Sequence, residues 1–150
     1  MFKIITNKSW LFALLILLIL PGCRLMLIGA YDQVTDQGIQ KIQIEVFTIV
    51  VKMERNFDNR TPEGNKYENF KTNYESIAAQ IETLIIRCSY LPKYQIISEQ
   101  VKLLGDNIIT LEKLNKIGFK TKEELTPVKS GFAIQFGTMI KLQNALKRQK

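Results

Sequence analysis

The sequence predicts an all-α protein, a four-helix bundle of the up-down-up-down type that follows an apolar N-terminal segment. From residue 31 onward, apolar residues recur at alternating steps of three and four, the spacing that places side chains on one face of a helix. The periodic stretches are separated by short segments rich in turn-forming residues. Short connections favour antiparallel neighbours, and hence this type of bundle.

The N-terminal segment differs from the rest of the chain. Residues 1–9 contain two lysines and no acid, residues 10–20 are apolar, and Leu-Pro-Gly-Cys follows at 20–23. A basic start, a short apolar run and a small residue before a cleavage site are typical of an export signal. The run is shorter than the about 20 residues of a membrane-spanning helix. We therefore expect residues 1–22 to be removed.

This segment resembles the signal peptide of bacterial lipoproteins. Leu20, Gly22 and Cys23 match the lipobox of that family, while Pro21 stands where alanine or serine is usual. The resemblance implies that Cys23 is lipidated, and several acyl chains at about 0.8 kcal/mol per methylene give a lasting anchor. In that family an aspartate after the cysteine favours retention in the inner membrane. Because Arg24 stands there, the resemblance implies an anchor in the outer membrane that faces the periplasm, with the inner membrane as the alternative.

An uncleaved signal anchor is the alternative interpretation. Residues 25–29 are apolar again, so Trp10 to Ala30 could span a membrane, with Arg24 reaching the interface. The protein would then be a single-pass accessory protein of the inner membrane. The organisation that we favour has a signal peptide at 1–22, a lipid-anchored tether at 23–30 and a helical domain at 31–150.

Four helices are expected in that domain, over residues 31–56, 66–90, 98–117 and 127–147. Residues 44–51 are rich in β-branched side chains, which favour strands, but helical spacing runs through them from both sides. The expected helix starts are Asn65 with Glu68, Ser98, and Thr126 with Pro127, and the expected ends are Pro92 and Gly118. The expected core faces are Ile39, Ile42, Val46, Ile49 and Met53; Tyr67, Phe70, Tyr74, Ile77, Ile81, Leu84, Cys88 and Leu91; Val101, Leu104, Ile108, Leu111 and Leu114; and Phe132, Phe136, Met139, Leu142 and Leu146.

The composition excludes several kinds of catalytic site. Histidine is absent, so no Ser-His-Asp or Cys-His pair and no HExxH zinc site can form. Asp32 and Asp36 are expected to be favourable charges in the first turn of a helix, and Glu123 and Glu124 to lie in a solvated loop. We expect a protein that is not an enzyme and that binds no cofactor or metal.

The net charge bears on the partners that we expect, and the two cysteines bear on burial and on disulfide formation. The formal charge is +7, and it falls to +5 without residues 1–22, which is below a nucleic-acid-binding signature. Cys88 lies on an apolar helix face and is expected to be buried. A Cys23–Cys88 disulfide is conceivable only if Cys23 is not lipidated.

Two surfaces are candidates for contact with other molecules. On the first helix, Ile44, Phe47 and Val51 form a second apolar line. Either neighbouring helices wrap this line, or it is exposed for a protein partner or for self-association. The up-down-up-down path also brings the basic end of the last helix back toward the anchor, so the residues expected near the lipid surface are Arg24, Lys93, Lys147, Arg148 and Lys150.

Sequence segments in the domain resemble a group of small uncharacterised helical lipoproteins of bacteria. They are YDQVTDQ at 31–37, PKYQ at 92–95, LEKLNKIGF at 111–119 and the basic last helix. This resemblance implies no activity. The function expected from the whole sequence is that of a lipid-anchored envelope protein whose helical module binds or scaffolds another envelope component.

Overall fold

The computed structural model describes residues 28–149, which form a bundle of four helices with no strand in that range. The helices are α1 (Gln33–Asp58), α2 (Lys71–Tyr90), α3 (Gln95–Ile117) and α4 (Leu125–Lys147). Two short 3₁₀ turns, Pro62–Asn65 and Tyr67–Asn69, connect α1 to α2. The predicted all-α fold is confirmed, including a helical conformation for residues 44–51.

Contacts between helix ends show that neighbouring helices are antiparallel. Arg87 near the end of α2 pairs with Asp32 at the start of α1. Tyr74 near the start of α2 bonds Asn115 near the end of α3. The start of α4 meets the end of α1, where Lys129 pairs with Glu54. The path therefore runs up, down, up and down, and α4 ends beside the start of α1.

The core is built from the apolar faces that the spacing predicts. Every expected core residue of α1 is fully buried, and so are Ile77 and Leu104 on the facing helices. Tyr67, Leu91 and Leu142 are half-buried at the margins, and Leu114 is exposed. Four buried residues with large apolar side chains lie outside the predicted sets: Val50, Tyr94, Ile97 and Leu125.

Three expected helix starts are wrong, and at Asn65 the reason is a contact with a residue distant in sequence. Helix α2 begins at Lys71, since Asn65 is buried in the connection and its amide donates to the carbonyl of Met53 at 3.2 Å. Helix α3 begins before Ser98, whose N–H donates to the carbonyl of Tyr94 at 2.8 Å. Helix α4 begins at Leu125, so Thr126 already lies inside it.

The two expected helix ends agree with the structure. Helix α2 stops at Tyr90, two residues before Pro92. Helix α3 stops before Gly118, which has a φ of 90°, a conformation that glycine adopts without a steric penalty.

A polar network closes the end of the bundle opposite to residue 28. The side-chain amide of Asn115 is 2% exposed and donates to the carbonyl of Asn65 at 2.7 Å. Its oxygen accepts a hydrogen bond from the Tyr74 hydroxyl. Burying a side-chain amide without hydrogen-bond partners costs free energy, and these bonds avoid that cost. The network therefore stabilises this end of the fold.

Candidate functional site

The segment that precedes α1 lies against the loop between α2 and α3. The N–H of Gly29 donates to the carbonyl of Lys93 at 2.9 Å. The hydroxyl of Tyr94 donates to the carbonyl of Ala30 at 2.7 Å. Ile28 packs against the core, so the packed body includes residues 28–30 ahead of the boundary expected at 31. We call residues 28–32, the α2–α3 loop and the end of α4 the tether end.

Gly29 allows the close approach at the tether end. It is buried, and a Cβ atom at this position would collide with the ring of Tyr94 and the carbonyl of Pro92. The Tyr94 ring is 2% exposed, and burial raises the pKa of its hydroxyl to about 12, so the hydroxyl stays a donor at neutral pH. The chain leading to α1 is therefore held in place by two bonds and one tight packing contact.

Asp32 and Arg87 fix the start of α1 to the end of α2. Asp32 caps α1, accepting from the Thr35 N–H at 2.9 Å and the Thr35 hydroxyl at 2.6 Å. Its two carboxylate oxygens accept from Nε and Nη2 of Arg87, each at 2.7 Å. The Arg87 guanidinium holds the pKa of the Asp32 carboxyl well below its usual range. The first-turn role expected for Asp32 is thus extended by an inter-helix ion pair.

Replacing Asp32 by asparagine isolates the energetic effect of this ion pair, since asparagine also caps helices well. The pKa of Asp32 is lowered in the fold, so its stabilisation is present above its unfolded value of about 4 and is lost as pH falls below it. We expect Asp32→Asn to lower the unfolding free energy by about 1–2 kcal/mol near pH 7, a figure reduced for the exposure of Arg87.

The measurement is denaturant unfolding of wild type and variant across acidic and neutral pH. The difference should shrink toward acid, where the wild-type carboxyl is protonated. Asp58→Asn is the matched control, because Asp58 pairs with Lys122 at an exposed site. A pH-independent loss for Asp32→Asn would contradict this account.

Basic residues gather at the tether end as the topology predicts. Lys147 lies with Nζ 5.7 Å from the ring centroid of Tyr31, and the exposed Arg148 follows it. The exposed Lys93 lies beside Gly29 in the α2–α3 loop. Three other predicted residues, Cys23, Arg24 and Lys150, lie outside the described range, as does the predicted signal peptide.

The groups considered for catalysis include the Cys88 thiol and the carboxylates of Asp36, Glu123 and Glu124. Cys88 is 3% exposed, as expected, and burial raises the pKa of its thiol, which makes it less reactive. Asp36 accepts from the Tyr31 hydroxyl at 2.9 Å, while Glu123 and Glu124 are exposed. Within residues 28–149 no group of three or more His, Cys, Asp or Glu side chains is placed to hold a metal ion.

The second apolar line of α1 is partly exposed. Ile44 is 68% exposed, whereas Phe47 and Val51 are half-buried. The Phe47 ring packs against Phe136, with ring centroids 6.1 Å apart. Together the three residues line an open groove, the α1 groove, whose margin carries the exposed cations Lys52 and Arg55. Ile44 is thus available to a partner, and Phe47 belongs partly to the core.

A second groove, which sequence reasoning missed, runs between α3 and α4. We call it the α3–α4 groove. It consists of two adjoining depressions that share Asn107, Gly131 and Gln135. Together they extend from Gln100 to Leu114 on α3 and from Pro127 to Met139 on α4. Its signal in the sequence is a line of uncharged residues at steps of three and four on α3: Ile96, Gln100, Leu103, Asn107, Thr110, Leu114 and Ile117.

Comparison of the chain with protein-family models, curated proteins and solved structures found no match. Among the helices within residues 28–149, none is both long and apolar enough to cross a membrane.

Proposed function

We propose that this protein is a lipid-anchored, non-enzymatic module of the bacterial cell envelope that binds or scaffolds another envelope component. The observation that carries the proposal is the architecture of the tether end. Gly29 and Ala30, which follow Cys23 in sequence, are hydrogen-bonded there to Lys93 and Tyr94. Lys147 and Arg148 lie at the same end. A lipid on Cys23 would therefore bring these cations close to the bilayer.

Electrostatics supports this orientation. A lipid anchor and a set of basic residues act together, since each cation near an anionic surface adds about 1 kcal/mol of attraction. The hydrogen bonds of Gly29 and Ala30 also support this orientation, because they leave few residues between the lipid and the packed body. The bundle would stand on the membrane with a restricted tilt.

The α1 groove is the proposed surface for a protein partner. Ile44 and Val51 lie about 16 and 27 Å along the helix axis from Gln33, which places them beyond the lipid surface in this orientation. An apolar floor with Lys52 and Arg55 at its margin suits a partner segment that is apolar and acidic. The partner is expected to be a protein and not a nucleic acid.

Replacing Cys23 by serine tests the anchor. We expect Cys23→Ser to lose all metabolic fatty-acid label, because the thioether cannot form, and to leave the precursor uncut. The readouts are labelling with a fatty acid, membrane fractionation and the mass of the mature N-terminus. Cys88→Ser is the matched control, since Cys88 is buried in the core and its replacement should leave the label unchanged.

The alternative signal anchor gives a different result in the same experiment. A single-pass protein keeps residues 1–22 in the wild type and carries no lipid label there. Equal labelling of wild type and Cys23→Ser would reject the lipid anchor on Cys23.

A further inference from the structure

Three helix ends at the tether end carry exposed apolar side chains. Val34 is the second residue of α1, Tyr90 the last of α2 and Ile96 the second of α3. Their exposed fractions are 51%, 85% and 45%. Because α1 and α3 begin where α2 ends, the three side chains lie at one level along the bundle, at the end that holds residues 28–30. We call these three residues the apolar rim.

The exposed charges beside the apolar rim are cations. The described ranges that meet at this end are 28–35, 88–97 and 145–149. Within them the exposed charged residues are Lys93, Lys147 and Arg148, and the one acid, Asp32, is paired with Arg87. The connections at the opposite end of the bundle carry exposed acids as well as cations: Glu63, Glu68, Glu123 and Glu124. An anionic surface is therefore attracted more strongly to the tether end.

The sequence ahead of the described residues indicates which anionic surface the apolar rim meets. Residues 10–20 are apolar, and the described structure begins at residue 28. Cys23 lies five residues before Ile28, a span of at most about 18 Å for a fully extended chain. A lipid on Cys23 and an uncleaved signal anchor both place a bilayer on this side of the bundle. A bilayer is therefore the partner that the chain itself brings to this end.

We propose that the apolar rim is a lipid-contact face, with which the folded body docks directly on a bilayer of anionic phospholipid. Tyr90 enters the headgroup layer, where the amphipathic ring of tyrosine is favoured, and Val34 and Ile96 lie at the same level. Lys147 and Arg148 pair with the lipid phosphates. This inference rests on the proposed membrane attachment, and it adds a second contact, made by the folded body, to that of the anchor.

Tryptophan at position 90 tests the contact. Trp10 is the single tryptophan of the chain, so Trp10→Phe gives a background without tryptophan emission. In that background, Tyr90→Trp keeps an aromatic side chain at an exposed position of the rim. Ile117→Trp is the matched control, because Ile117 is also the last residue of a helix and is 75% exposed. Ile96 and Ile117 lie at opposite ends of α3, about 32 Å apart along its axis.

The experiment is reconstitution of the full chain into vesicles of phosphatidylcholine and phosphatidylglycerol, with bromine on the acyl chains near the headgroups as the quencher. We expect a loss of tryptophan emission for Tyr90→Trp and no loss for Ile117→Trp. Equal emission of Tyr90→Trp with and without bromine overturns the proposal, and this is the result expected if a protein covers the rim. Equal quenching at both positions also overturns it, since the bundle would then not stand on this end.

Removing two cations tests the electrostatic part of the docking. In the Tyr90→Trp background, we expect Lys147→Gln with Arg148→Gln to lower the ratio of docked to undocked molecules about thirtyfold, since each cation near an anionic surface contributes a preference of about fivefold. Lys52→Gln with Arg55→Gln removes the same charge from exposed residues near the other end of α1 and should leave the quenching unchanged. An equal effect of the two pairs overturns the assignment of anionic lipid to this face.

Failure of this inference and failure of the proposed function give different results. The fatty-acid label reports the lipid on Cys23 and does not depend on the apolar rim. A labelled protein without quenching at position 90 rejects the lipid-contact face alone. Quenching at position 90 in a protein that carries no label rejects the lipid anchor alone.

Discussion

Replacing Ile77 by alanine is expected to lower the free energy of unfolding by about 2–5 kcal/mol. Ile77 is fully buried on α2 and belongs to the core cluster. The loss combines the transfer of buried methyl and methylene groups to water with the cavity that remains, because packed helices relax only partly around it. Urea unfolding of the full chain in mild detergent, followed by far-UV circular dichroism, measures it.

Ile86→Ala provides the control on the same helix. Ile86 is 58% exposed, so the same chemical change there should shift stability by about 0.5 kcal/mol or less. Equal costs at both positions would contradict the orientation of α2 in the bundle. A near-zero cost at Ile77 would contradict a packed core altogether.

The fold was predictable from the sequence because its main signal is local. Steps of three and four identify a helix face without knowledge of what packs against it, and the faces through Ile39 and Ile77 are buried as predicted. Helix starts depend on more distant contacts. Asn65 has a side chain suited to capping, but its amide bonds to the carbonyl of Met53 in the preceding helix.

The candidate site was predictable only in outline. An up-down-up-down path brings Lys147 back to the first helix whatever the details of packing, and the structure shows this arrangement. The contacts that shape the tether end join residues far apart in sequence: Arg87 and Asp32 are separated by 55 positions, and Tyr94 and Ala30 by 64. No local pattern links such pairs. The α3–α4 groove was missed because exposed Leu103 and Ile134 are distinguished from core residues only after the helices are placed.

Replacing Phe47 by glutamate is expected to lower the unfolding free energy by about 2–3 kcal/mol. Phe47 is half-buried and packs on the fully buried Phe136, so the substitution removes apolar contact and places a carboxylate against a ring. Loss of binding by this variant would therefore not separate a partner surface from a damaged fold. Thermal melting monitored by circular dichroism gives the expected early transition.

Ile44→Glu separates the two effects. Ile44 is 68% exposed in the same apolar line, so its replacement should change stability by about 0.5 kcal/mol or less. If the α1 groove binds an apolar, acidic partner, the new carboxylate opposes that partner and removes an apolar contact, and capture from solubilised membranes should be lost. Ile86→Glu, at a 58% exposed position on α2, should retain capture. If both Ile44→Glu and Ile86→Glu still capture the partner, the α1 groove is not the partner site.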